Sequence, residues 1–193
     1  MENMKKILII GIVASGKTTL ARTLSQHINI PWHELDAIVH HQTESGRIKR
    51  TPEEQMNVIH DINKQGTWIL EGTDRASYQP LYDMADTIIF LDPPLWKRKI
   101  RIFLRFAKQR FGIEKANYTP DLTMLRMMYR WTREFEQNRD SFETKLKRYE
   151  NKLVRLRDNT DLAWVAQRRQ CTGAVGAERQ ETAAGNEGKG RTK

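Results

Sequence analysis

Of the 193 residues, one is cysteine, Cys171. A lone thiol makes no internal disulfide, which excludes the cross-linked framework of a small secreted domain. No apolar run approaches the roughly 20 residues that cross a bilayer, so neither a spanning segment nor a membrane partner is expected. Histidine is sparse, with five in the chain. His33, His40 and His41 stand at no metal-ligand spacing with any other His or Cys and read as surface or packing residues. What these absences leave is a cytoplasmic chain of one-domain length, able to bury a real core.

Against that background the stretch "KKILIIGIVASGKTTLA" (5–21) stands out. It admits two readings. Lys5 and Lys6 followed by Ile7 to Ala14 could open a secretory signal. The same letters spell a phosphate-binding loop, with Gly11, four residues, then Gly16, Lys17 and Thr18. The spacing favours the loop, because residues of these types at these positions arise by chance in about one random chain in a hundred. The context agrees. An Ile-rich run precedes the loop, as a buried parallel strand should, and Leu20, Ala21, Leu24 and Ile28 follow at helical spacing. Backbone N–H groups of such a turn, aimed inward at a helix N-terminus, form a positively polarised cup for phosphate oxygens. Lys17 adds a charge reaching the β- and γ-phosphates, and the Thr18 hydroxyl is placed to ligate Mg²⁺. The nucleotide-binding candidates are therefore Gly11, Ala14, Ser15, Gly16, Lys17, Thr18 and Thr19, with ATP and Mg²⁺ as the expected cofactors. No Asn-Lys-x-Asp base-reading sequence occurs, which argues against a GTPase.

Downstream, strands and helices alternate. "IPWHELD" (30–36) reads as a second strand ending in a carboxylate. "PEEQMNVIHDIN" (52–63) follows Thr51 and carries Glu54, a capping box opening a helix. "TWILEG" (67–72) and "DTIIFLD" (86–92) are near-continuous apolar runs, as in buried parallel strands. A long amphipathic region runs from Leu95 to about Glu150, broken near "GIEKANYTPD". "KLVRLR" (152–157) supplies a fifth strand, and "NTDLAWVA" starts a closing helix. The pattern predicts an α/β fold, a five-stranded parallel sheet with helices on both faces. Residues 1–166 form the domain. From Gln167 to Lys193 a polar segment with Val175 as its one large aliphatic residue is expected to be a disordered tail.

Ligands of such sheets sit beyond the carboxyl ends of the strands, which singles out Asp36 and Glu71. Asp36 could take the proton from an attacking hydroxyl or hold Mg²⁺ through water, or simply cap the strand end. Glu71 could share the metal with Thr18 or orient the acceptor, with Arg75 nearby, or pair structurally with a lysine. Asp92, before Pro93 and Pro94, reads as a strand terminator.

Charge is uneven. Residues 1–95 carry 9 Lys and Arg against 12 Asp and Glu, whereas residues 96–158 carry 18 against 8. The basic stretch is a solvated exterior, a polyphosphate clamp or a nucleic-acid surface. Within it Arg98, Arg101 and Arg105 lie at spacings of three and four and so share a helix face, while the interleaved Ile100, Ile102, Phe103, Leu104 and Phe106 are expected to pack on the opposite one. Arginines brought over a moving phosphoryl group stabilise the charge on its equatorial oxygens, which makes Lys17, Asp36, Arg101 and Arg105 the candidate catalytic set.

Taken in order, "KILIIGIVASGKTTLARTLSQHINIPWHELDAI", "WILEGT", "ADTIIFLD", "LWKRKIRIFLR" and "KLVRLRDNTDLAWV" resemble the adenylate-kinase-like P-loop proteins called DNA topology modulation proteins, of the FlaR type, over about residues 4 to 165. The resemblance implies the P-loop NTPase fold of nucleoside monophosphate kinases, with an acceptor-binding segment after the second strand and a short helical lid bearing Arg101 and Arg105. It adds Arg139 as a nucleotide-binding residue after the lid, and sets "RDNTDLA" against the adenine. Members tend to carry Asp-Gly where Glu71-Gly72 stands here, a longer arm with the same charge. The final helix also lacks its usual apolar continuation.

The expected function is transfer of the ATP γ-phosphate to a small acceptor, such as a nucleotide or nucleoside, by a monomer or homodimer. The alternative is a non-enzymatic, nucleotide-responsive regulator that contacts DNA through the basic stretch.

Overall fold

A computed structural model describes residues 4–43, 46–112 and 121–160. Its centre is a run of three strands with almost nothing but aliphatic and aromatic side chains. They are β1 (Lys6–Ile10), β5 (Trp68–Gly72) and β6 (Thr87–Leu91). Runs apolar on both sides of the pleat have no solvent face, so each must be covered above and below. Here β1 lies between β5 and β6, and the shorter β2 (Trp32–Glu34) and β7 (Leu153–Leu156) form the edges. The order is β2-β5-β1-β6-β7 and every pairing is parallel, which is the five-stranded parallel sheet the sequence predicts. Ile10 is in register with Gly72 on one side and Phe90 on the other. The carboxyl ends of the central strands therefore finish level, and the chain leaves all three along one edge.

Alternation along the strands divides the core into two layers. Leu8, Ile10, Trp68, Leu70, Ile88 and Phe90 pack with α2 (Leu35–Val39), α3 (Pro52–Lys64), α4 (Gln79–Met84) and Leu146 of α7 (Arg139–Lys147). On the other face lie Ile7, Ile9, Ile69 and Ile89, and α1 (Lys17–Ile28) buries Leu20, Ala21 and Leu24. Helix α3 begins with the expected capping box. The Glu54 amide donates to Thr51 Oγ1 at 3.2 Å, and the Thr51 amide donates to Glu54 Oε2 at 2.7 Å.

Three features depart from the sequence reading. The second strand is only three residues long, and Asp36 lies in the first turn of α2 rather than at a strand end. Leu35, Ile38 and Val39 explain this, because their spacing of three and one buries a helical face against the sheet. An antiparallel hairpin, β3 (His40–Thr43) with β4 (Gly46–Lys49), follows α2. Its polar strands give little hydrophobic alternation to read. The long basic region divides into α5 (Leu95–Arg110), α6 (Leu122–Gln137) and α7, the last two separated at Asn138. The predicted break at "GIEKANYTPD" falls largely outside the described residues, as do the closing helix beyond Thr160 and the tail from Gln167. Among the described residues no helix is long and apolar enough to cross a membrane.

Candidate functional site

The turn from β1 into α1 is shaped by what its residues lack. A Cβ on Gly11 would lie 2.6 Å from the Leu91 carbonyl oxygen and 2.9 Å from Ser15 Oγ, so only glycine lets the chain pass the end of β6. Gly16 has φ +101° and Ala14 φ +57°, the left-handed turns that direct successive amides to one side. Ser15 Oγ is fully buried and has no hydrogen-bond partner among the described residues. A buried hydroxyl without a partner, at a glycine turn that opens a helix, is one that a bound phosphate oxygen would satisfy. The Gly11→Ala variant should therefore lose about 1–3 kcal/mol of stability through overpacking. A denaturant midpoint equal to that of the wild type would show that the loop has more room than these distances allow.

Lys17 opens α1 and folds back over the loop, its Nζ donating to the Ile12 carbonyl at 3.1 Å. Burial pushes its pKa below the ordinary lysine value, against the pull of Glu71 and Asp36, while Arg105 pushes it the same way as burial. Thr18 Oγ1 donates to Glu71 Oε1 at 2.6 Å. The two sequence-predicted metal ligands are thus in contact, and the longer arm of Glu71 makes that reach. Burial raises the Glu71 carboxyl pKa. Lys17 and the Thr18 hydroxyl draw it down, and Glu34 and Asp36 push it up. Glu34 is the carboxylate that sequence reasoning passed over. It lies in register with Glu71 across β2 and β5, and its signal was the same strand end that drew attention to Asp36. Among the described residues no group of three His, Cys, Asp or Glu is arranged to hold a metal alone. A Mg²⁺ here would take Thr18 and Glu71 together with phosphate oxygens and water, the usual mode for this ion.

Asp36 accepts from Arg75 Nη2 at 2.9 Å on an exposed surface. Arg75 thus meets a carboxylate rather than an open anion site. Arg101 reaches the loop itself: Nη1 donates to the Ser15 carbonyl at 2.7 Å and Nη2 to Asn159 Oδ1 at 3.0 Å. Thr19 continues α1 on its exposed side. Arg98 shares the helix with Arg101 but turns inward, 1% exposed, onto Glu136. Arg139 is taken up by carboxylates. It makes paired bonds to Asp92 at 2.8 and 3.0 Å and further ones to Glu136 and Glu143. The Asp92 bonds lead in raising its already high pKa. Arg155 closes the network with two bonds to Glu143. Three arginines, Arg98, Arg139 and Arg155, thus face three acids, Asp92, Glu136 and Glu143.

Beside the loop a cavity of about 310 Å³ opens. Gly11 and Ile12 form one wall, Thr73 and Asp74 beyond β5 a second, and Phe135, Asn138, Ser141, Phe142 and Lys145 a third. Asp74 Oδ1 accepts from both Lys145 Nζ and the Tyr82 hydroxyl, each at 2.7 Å. The cavity's one ammonium and one carboxylate therefore neutralise each other.

No protein-family model matches the chain, and no curated protein sequence matches it. Among solved structures it is similar to a shikimate kinase from Bacteroides thetaiotaomicron, at 15% identity over 90% of this chain and 98% of that one, TM-score 0.52. It is also similar to a shikimate kinase from Acinetobacter baumannii in complex with shikimate, at 14% identity over 89% and 96%, TM-score 0.54. Identities this low speak to architecture alone. Sheet order, glycine loop and helix α1 agree with it, and the chain has the fold of a P-loop kinase.

Proposed function

We propose that this protein is a cytoplasmic kinase that transfers the γ-phosphate of ATP to a hydroxyl of a small, uncharged acceptor of the nucleoside kind. It would stand nearest the adenylate-kinase-like proteins whose motif order it shares. The observation that carries the reading is the shared wall. Gly11 and Ile12 belong both to the phosphate loop and to the 310 Å³ cavity, so a molecule in the cavity lies against the end of a polyphosphate in the loop.

The loop amides and Lys17 would hold the phosphates, and Thr18 with Glu71 would hold Mg²⁺, which neutralises charge on the β- and γ-phosphate oxygens. In the cavity, Thr73 and Ser141 offer hydroxyls. Asn138 donates its amide nitrogen to the Glu134 carbonyl and so has its oxygen left for the acceptor. Phe135 and Phe142 give an apolar floor. Asp36 does not line the cavity, but it is near enough to Lys17 and Glu71 to shift both, and as the proposed base it would accept the proton as the acceptor oxygen bonds to the γ-phosphorus and the bond to the ADP oxygen breaks. Arg101 and Arg105, on a helix tied to the loop, would stabilise the transferring group.

The internal pairing of Lys145 with Asp74, and of Arg139 with its three acids, supports an uncharged acceptor over a nucleotide or a carboxylate such as shikimate. ADP release measured with nucleosides, nucleoside monophosphates and shikimate at equal concentration should favour a nucleoside at least tenfold. Turnover of the anions alone would overturn the choice of acceptor class. Absence of any acceptor-dependent release, from a protein that binds ATP, would overturn the kinase reading.

A further inference from the structure

Helix α5 is inverted relative to an ordinary surface helix. Its buried residues are Arg98, Ile102 and Gln109, at intervals of four and seven, and they face the interior. Its large apolar residues face out: Trp96 is 60% exposed, Phe103 56% and Phe111, just past the helix end, 79%, with Ile100 and Leu104 between them also exposed. Intervals of four, three, one and seven put these five side chains on one stripe down the full length of the helix, opposite the buried one. Single exposed apolar residues need no account, but a continuous stripe marks a surface that something else covers.

Charge narrows what that is. The helix holds seven Lys and Arg and no Asp or Glu. Lys99, Lys108 and Arg110 border the stripe, exposed and without a carboxylate partner among the described residues. A second copy packed stripe to stripe would set these cations against their own kind. The partner must instead be apolar beneath and negatively charged at its surface. It must also suit the convex side of a single helix rather than a groove. An amphipathic helix with Trp, Phe and Leu on one face and Lys and Arg beside it lies in the headgroup region of an anionic bilayer, its long cationic stems reaching back to the phosphates. The cytoplasmic leaflet presents that surface. We propose that the outer stripe of α5 seats this protein on an anionic lipid surface. The absence of a spanning run implies no membrane partner, but an in-plane helix leaves a different trace, along one face. Arg101, which bonds the phosphate loop, is not part of the stripe.

The test is co-sedimentation of the full chain with vesicles of phosphatidylcholine, with and without about a third phosphatidylserine. Mixed vesicles should bind the protein and pure phosphatidylcholine should not, and half-molar salt should release it. The combined Trp96→Ser, Phe103→Ser, Leu104→Ser variant should lose at least tenfold in binding while its circular dichroism and its thermal shift with Mg·ATP match the wild type. A second variant, Lys99→Gln, Lys108→Gln, Arg110→Gln, should lose binding without any change to the apolar stripe. Binding that survives the serine variant would assign the lipid contact elsewhere and overturn the proposal. So would a wild-type dimer, seen by light scattering, that the serine variant makes monomeric. Binding that appears only after residues 167–193 are removed would do the same, by making that segment the occupant of the stripe.

Discussion

Replacing Lys17 by Ala is expected to erase the stabilisation that Mg·ATP gives this protein. At a nucleotide concentration a hundred times its dissociation constant, one site adds about 2.7 kcal/mol. For a chain of this size that raises the melting midpoint by roughly 5–10 °C. Lys17 is the residue on which that gain depends most. Its Nζ lies within the loop at 3.1 Å from the Ile12 carbonyl, and burial lowers its pKa, the mark of an ammonium short of solvation. A phosphate arriving there meets a cation that has already lost part of its water, so the attraction is screened less than at a surface. In Lys17→Ala the loop amides remain, but the charge between them is gone. The free protein should melt near the wild-type temperature, because losing one hydrogen bond to a carbonyl is offset by no longer holding a desolvated charge in the loop. Differential scanning calorimetry at several Mg·ATP concentrations measures both quantities. A wild-type midpoint indifferent to millimolar Mg·ATP, or a variant that shifts as far as the wild type, would remove the basis of the nucleotide site.

The phosphate loop was legible because it is local. Gly11, Gly16, Lys17 and Thr18 occupy eight consecutive positions, and the turn they form follows from backbone geometry alone. The contact between Thr18 and Glu71 spans 53 positions in sequence, yet it was within reach. Parallel strands of a doubly covered sheet end at one edge, where Glu71 sits at the end of β5 and Thr18 in the first turn of the helix that follows β1. Asp36 was found for the same reason but placed on the wrong element, since Leu35, Ile38 and Val39 form a helical face too short for periodicity to reveal. The arginines were the least readable. Helical spacing groups Arg98 with Arg101 and Arg105, but it cannot say that Glu136, on another helix, takes Arg98 into the interior. Nor can it say that Asp92, 47 positions away, and Glu143 hold Arg139. Whether a cation is open to a ligand depends on which acids the fold delivers to it, and that is a property of tertiary packing. The outward stripe on α5 illustrates the same limit from the other side. The sequence of α5 implies that Ile100, Ile102, Phe103, Leu104 and Phe106 pack opposite the arginines, but only Ile102 of these is buried, while Ile100, Phe103 and Leu104 face out and Arg98 takes the interior.

The same accounting of paired cations bears on the choice between an enzyme and a DNA-binding regulator, for which Arg101 and Arg105 are the test. At least five of the stretch's 18 cations are paired with acids: Arg98, Arg139 and Arg155 with three acids, Lys145 with Asp74, and Lys97 with Asp158 at 2.6 Å. Phosphate contacts to DNA need exposed charge, and Lys99, Lys108 and Arg110 supply it, so the pairing does not decide the question and it falls to Arg101 and Arg105. Arg101 and Arg105 are directed otherwise, the first bonded to the Ser15 carbonyl and the second close enough to Lys17 to lower its pKa. If they act on the transferring phosphoryl group, Arg105→Ala should lower kcat by about 10²- to 10³-fold, equivalent to roughly 2.7–4 kcal/mol, with a small change in ATP affinity. Arg101→Ala should lower kcat as much and also weaken ATP binding several-fold, because it removes a bond that holds the loop. DNA affinity should be unchanged in both. If the stretch is instead a nucleic-acid surface, each variant should weaken DNA binding irrespective of sequence and reduce the salt slope by about one unit, and any ATP turnover should survive. Single-turnover phosphoryl transfer with the favoured acceptor, run beside DNA titrations at two salt concentrations, separates the two. Intact transfer with collapsed DNA binding would overturn the catalytic role proposed for Arg101 and Arg105. Loss of transfer with DNA affinity unchanged would place the two arginines over the γ-phosphate.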